Sequence, residues 1–106
     1  MFKNEVSEFI YKRTYSRWLD EEARREDWPE TIERFIGFVI SERPDIPEKT
    51  INKIRKYMVE FSVMPSMRFL WAAGPAAKKD NTCIYNCSFA KINSVDAFAE
   101  CLYILM

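Results

Sequence analysis

Histidine is absent from the 106 residues. That removes the commonest general base near neutral pH and the commonest zinc ligand. Glycine occurs only at Gly37 and Gly74, so this segment encodes no glycine-rich phosphate loop. Charge of either sign is not in excess: sixteen basic residues balance sixteen acidic ones. Nucleic acid and membrane surfaces, which select basic patches, are therefore not expected as partners. No apolar run approaches the roughly 18–20 residues needed to span a bilayer. The opening residues, Met1 to Glu8, lack the apolar core of a signal peptide. A cytoplasmic location is the expectation. The three cysteines are then expected to be thiols rather than a disulfide framework.

What is present suffices to fold. Apolar residues make up 48% of the chain and charged residues 30%, which suits one domain with a modest core. Val6, Phe9 and Ile10 are spaced as on one helical face, predicting a short helix over 5–12 followed by a turn. Residues 16–27 are rich in charge and read as exposed, anchored by Trp18 and Leu19. Asp27-Trp28-Pro29-Glu30 has the form of a capping-box helix start. Ile32, Phe35, Ile36, Val39 and Ile40 then define one apolar face, with the helix ending near Glu42.

Pro44 to Pro47 breaks that helix. A second helix is predicted from about Pro47, capped by Asp45, burying Ile51, Ile54, Met58 and Phe61. The short break favours an antiparallel pair, with Gly37 allowing close packing. Residues 63–80 read as irregular, with a short apolar turn from Arg68 ending at Gly74. Thr82 to Ala90 reads as a strand. Ser94 is a good N-cap for a last helix carrying Val95, Phe98, Cys101, Leu102 and Leu105 on one face. That helix meets no closing residue before Met106, so the polypeptide is expected to continue. Trp18, Trp28, Tyr11 and Tyr15 read as packing residues rather than base-stacking platforms.

Cys83 and Cys87 are four residues apart. On a strand they would share a face about 13 Å apart, beyond the ~7 Å Cα separation a disulfide allows. With Cys101 fourteen residues later and no histidine, no zinc set is completed. No metal site is expected. Cys83 and Cys101 read as small buried apolar residues.

The order of several motifs resembles a known family. Met64-Pro65-Ser66-Met67-Arg68 leads to Gly74-Pro75, then to Tyr85-Asn86-Cys87-Ser88, Ser94 to Phe98, and Leu102 to Met106. This resembles the opening of the catalytic barrel of ribonucleotide reductases. The likeness is to the monomeric adenosylcobalamin-dependent type and to compact phage-encoded relatives. The run Arg13-Thr14-Tyr15-Ser16-Arg17 is similar to the amino-terminal segment of the same family, without a role to assign.

The resemblance implies a mainly α chain: a helical region over 1–63, then over 64–106 the first strand and helix of a ten-stranded α/β barrel. It implies that Cys87 is half of the dithiol that supplies electrons to the ribose. It places Ser66 against bound substrate, although capping of the following turn is an equal reading of that residue. Asn86 and Ser88 flank the cysteine as further substrate-binding candidates. Arg68 reads either as a phosphate partner or as a surface residue.

The second reducing cysteine and the radical-bearing cysteine lie far downstream in the family, so the segment alone is expected to be inactive. A ribonucleotide substrate, the remainder of the reductase, adenosylcobalamin and an external dithiol such as thioredoxin are the implied partners. In the family a cysteine follows the Leu102–Met106 motif, the residue an intein or split-gene junction would leave. The rival reading is a stand-alone helical interaction module docking through its last helix.

Overall fold

In a computed structural model the chain is mainly helical, and the residues described are 2–85 and 90–105. Helix α1 spans Glu5–Thr14. A two-stranded antiparallel hairpin follows, β1 Trp18–Leu19 and β2 Arg24–Arg25, pairing Trp18 with Arg25 and Leu19 with Arg24. Then come α2 (Trp28–Glu42), α3 (Glu48–Val59), α4 (Met67–Ala72) and α5 (Pro75–Lys79). A 3₁₀ turn over Asn81–Ile84 and helix α6 (Val95–Leu105) complete the described chain.

The α2–α3 pair forms where the apolar periodicity puts it. Trp28, at the start of α2, stacks on Phe61 just past the end of α3, with ring centroids 5.1 Å apart. Its Nε1 donates to the Met58 carbonyl at 3.3 Å. The start of one helix against the end of the other makes the pair antiparallel. Ile32, Ile36, Ile51 and Met58 are buried between them, while Ile54 and Phe61 are partly covered. Phe2 and Tyr11 pack on Trp28 and Phe61, closing an aromatic cluster that fixes the amino-terminal helix to the pair. Leu70, Ala73 and Ala77 carry the core on into α4 and α5.

Several expectations are corrected. Val6, Phe9 and Ile10 face solvent on α1, and Tyr11 is the buried residue. The helix presents its phenol because that hydroxyl finds partners inside, the Thr31 hydroxyl and the Glu26 carbonyl. Pro47, not Asp45, occupies the N-cap of α3; the Asp45 carboxylate is held instead by Arg43 at 2.9 Å. A Cβ at Gly37 would meet nothing within 4 Å, so no close helix approach explains that glycine.

The span 63–80 is more ordered than its prolines suggested, because Pro75 starts a helix rather than ending one. Gly74, at φ 120°, makes the corner between α4 and α5 that other residues rarely adopt. Thr82–Ile84 forms 3₁₀ structure instead of strand. The Asp80 carboxylate accepts from both the N–H (3.0 Å) and the hydroxyl (2.8 Å) of Thr82, which winds the backbone into a turn. The remainder of the predicted strand, 86–89, lies outside the described residues.

The Asp27–Glu30 signal at the start of α2 is used. The Glu30 carboxylate accepts from the Asp27 N–H at 2.6 Å and takes both Nη atoms of Arg24 on β2, tying hairpin to helix. Chiefly the Arg24 fork, and then that N–H, hold the Glu30 carboxyl down to about 2, from an ordinary 4.5. A carboxyl whose folded value is depressed favours the fold above its ordinary range and loses that contribution as pH falls toward the folded value. Between about pH 5.5 and pH 2.5, the urea midpoint of the native chain should therefore fall further than that of Glu30→Gln. Parallel declines would remove the Arg24–Glu30 contact from the account.

Candidate functional site

Ser66 lies at the N-cap of α4, its Oγ accepting from the Phe69 N–H at 3.2 Å. The side chain is exposed, and among the described residues its O–H donates to none. Capping uses an acceptor lone pair of the hydroxyl and leaves its proton for a second partner. The two readings of Ser66 are thus compatible in one conformation. Two residues on, the Arg68 Nη1 donates to the Tyr85 carbonyl at 2.9 Å. This joins the start of α4 to the residue before Asn86. Asn86, Cys87 and Ser88 themselves lie outside the described residues.

Beside this junction is an open cleft of about 720 Å³, lined by Arg68, Trp71, Asp80, Thr82 and Cys83 on one wall and by Ala99, Leu102 and Tyr103 of α6 on the other. Its size is that of a small-molecule site. Cys83 is half-buried at its edge and packs partly on the core, and Cys101 is half-buried on α6. Among the described residues no three acidic or cysteine side chains converge as a metal site would need. No described helix is long and apolar enough to cross a membrane.

A polar assembly that is not visible in the sequence lines a second cleft, of about 430 Å³, where Arg17, Glu26 and Arg34 meet Ala72 and Ala73. Glu26 is only 2% exposed. Its carboxylate pairs with the Arg34 guanidinium, Nη2 to Oε1 at 2.8 Å, and accepts from the Thr31 hydroxyl at 2.7 Å. Its backbone carbonyl accepts from Ser16 Oγ (2.6 Å), Lys12 Nζ (3.1 Å) and the Tyr11 hydroxyl (3.3 Å). Arg34 in turn donates to the carbonyls of Tyr15, Leu70 and Ala73. Arg17 donates to the Trp71 carbonyl and lies over the Trp71 ring, 4.9 Å from its centroid. Burial, and then the neighbouring Arg34, pull the Arg17 guanidinium below its ordinary value. Burial likewise pushes the Tyr11 phenol up.

Glu26 belongs to the charged run 16–27 that the sequence predicts to be exposed, and the structure buries it. The one available signal was positional: Arg34 follows Thr31 by three residues, on the flank of the apolar face of α2.

The family model for the ribonucleotide reductase alpha domain matches residues 1–75. A protein of Lactobacillus helveticus named adenosylcobalamin-dependent ribonucleoside-triphosphate reductase is 35% identical over 83% of this chain and 13% of its own length. Its namesake from Lactobacillus gasseri is 34% identical over the same shares. A relative from Mycobacterium phage D29 is 36% identical over 77% of this chain and 12% of its own. No solved structure matches. The chain belongs to the ribonucleotide reductase alpha family. It spans about an eighth of the length of these curated relatives.

Breaking a buried pair by removing one partner costs about 3–5 kcal/mol. Glu26→Gln should lower the stability of the chain by that order in urea unfolding at neutral pH, because the Arg34 charge loses its only carboxylate among the described residues. A loss below about 1 kcal/mol would assign the pair no organising role.

Proposed function

We propose that this chain forms the amino-terminal part of a ribonucleotide reductase that converts ribonucleotides to 2′-deoxyribonucleotides. Residues 1–63 would be the helical region, and 64–106 the first strand and helix of the catalytic barrel. Membership of the alpha family carries the reading, and the Tyr85-Asn86-Cys87-Ser88 motif assigns the chemistry within it.

Cys87 is one of two thiols that deliver two electrons and two protons to the substrate. The C2′–O bond breaks, oxygen leaves as water, hydrogen takes its place at C2′, and the two thiols become a disulfide. An external dithiol such as thioredoxin resets the pair by exchange, itself becoming a disulfide. The second thiol and the radical-bearing thiol belong to the remainder of the reductase, so the segment alone is inactive. Ser66 donates its free O–H to a substrate oxygen, with Asn86 and Ser88 beside Cys87.

The relatives are named for adenosylcobalamin. The described residues do not fit that group: the sequence has no imidazole, and the cleft of about 720 Å³ suits a drug-sized ligand rather than a corrin. Cobalamin would be held elsewhere in the reductase.

The exposed apolar residues of α6, Val95, Phe98, Leu102 and Tyr103, suit a helix that the rest of a barrel covers. In a stand-alone interaction module the same face would meet another protein. A chimera separates the two. Residues 1–106 replace the matching segment of the Lactobacillus helveticus relative, and reduction of ribonucleoside triphosphate is followed over many turnovers. The chimera should be active, and Cys87→Ser should bring multiple turnover to background. A chimera that turns over normally with that substitution would contradict the assignment.

A further inference from the structure

We propose that Arg17 and Arg34, charge-balanced by Glu26, are positioning residues that set α4 and, through it, the Ser66 hydroxyl. The inference rests on the reading of Ser66 as a substrate contact. It also gives a role to the Tyr15-Ser16-Arg17 run, which the proposed chemistry leaves unused.

Helix α4 has six residues, too few to be stable alone. Its amides at Leu70 and Ala73 bond within the turn, to the carbonyls of Ser66 (2.9 Å) and Phe69 (2.8 Å). The carbonyls at its end have no further helix to accept from. Guanidinium groups take that place. Arg34 Nη1 donates to the carbonyls of Leu70 (3.0 Å) and Ala73 (2.6 Å), and Arg17 donates to that of Trp71. Cations at a helix C-terminus also oppose its dipole favourably.

Arg17 lies over the Trp71 ring, and Arg34 is locked by both oxygens of Glu26. The frame behind them is backbone. The Glu26 N–H donates to the Arg17 carbonyl at 2.8 Å, the Ser16 hydroxyl donates to the Glu26 carbonyl, and Tyr15 offers its carbonyl to Arg34. A planar fork reaches several acceptors at once, which an ammonium cannot reproduce. The far end of α4 carries Ser66 at its N-cap, so a shift at the clamped end moves that hydroxyl. Misplacement of about 1 Å can cost on the order of a hundredfold in a reaction.

The test uses Arg17→Lys and Arg34→Lys, which keep the charge and lose the fork. In the chain itself, hydrogen exchange at the Leu70 and Ala73 amides should quicken about tenfold more than at Ile36 and Ile51. Uniform quickening would overturn the clamp. In the active chimera, Arg17→Lys should raise the KM for ribonucleoside triphosphate about fivefold or more, with a much smaller change in kcat. Adding it to Ser66→Ala should raise KM no further, because the two act through one contact. Additive effects, or an unchanged KM, would overturn the link to Ser66. A chimera inactive with all native residues counts against the reductase reading and against the substrate link, and exchange then still decides the clamp.

Discussion

One buried ion pair organises this chain. Glu26 sits at the end of the hairpin and Arg34 in the middle of α2, yet between them they touch α1, the α1–β1 corner, α2, α4 and the α4–α5 corner. A buried pair taken alone often contributes little net stability, since desolvation offsets attraction. Here the guanidinium also satisfies three backbone carbonyls, and the Glu26 main chain gathers three more donors. An apolar pair of equal volume would leave the three carbonyls served by Arg34 without their donor, at about 1–3 kcal/mol each. That accounting makes the pair a structural requirement rather than a replaceable contact.

The packing around it is uneven. The α2–α3 pair and the aromatic cluster of Phe2, Tyr11, Trp28 and Phe61 form a dense body. Helix α6 does not share in it: Val95 is 84% exposed and Tyr103 69%. The radius of gyration, 16.5 Å, exceeds the roughly 13 Å of a compact chain of this length. Helix α6 is the most apolar exposed element among the described residues, with Val95, Phe98, Leu102 and Tyr103 all open to solvent.

Much of the fold was legible in the residues. The start of α2 at Asp27-Trp28-Pro29-Glu30, its end at Glu42, and the buried positions Ile51 and Met58 of α3 follow from caps, prolines and spacing. Ser94 donates nothing to the last helix but accepts from the Ala97 N–H, as an N-cap should. The misses have physical causes. α4 and α5 are too short to show a period. Thr82, Ile84 and Tyr85 have strand propensity, but the Asp80 side chain wins locally. Val6, Phe9 and Ile10 keep helical spacing on α1 while a tyrosine with internal hydrogen-bond partners takes the core. Glu26 could not be told from its charged neighbours, because its burial depends on Arg34 and on backbone far along the chain. The capping role of Ser66 was readable from the residues that follow it, whereas the guanidinium contacts of Arg17 and Arg34 at the other end of α4 depend on tertiary structure alone.

The most direct test of the central claim is thiol mapping by mass spectrometry on the chimeric reductase, quenched after turnover with ribonucleotide in the absence of external dithiol. The account predicts that Cys87 is recovered in a disulfide with a cysteine from the remainder of the reductase, one bridge for each deoxyribonucleotide formed. Cys87 recovered as a free thiol from enzyme that has made product would contradict it.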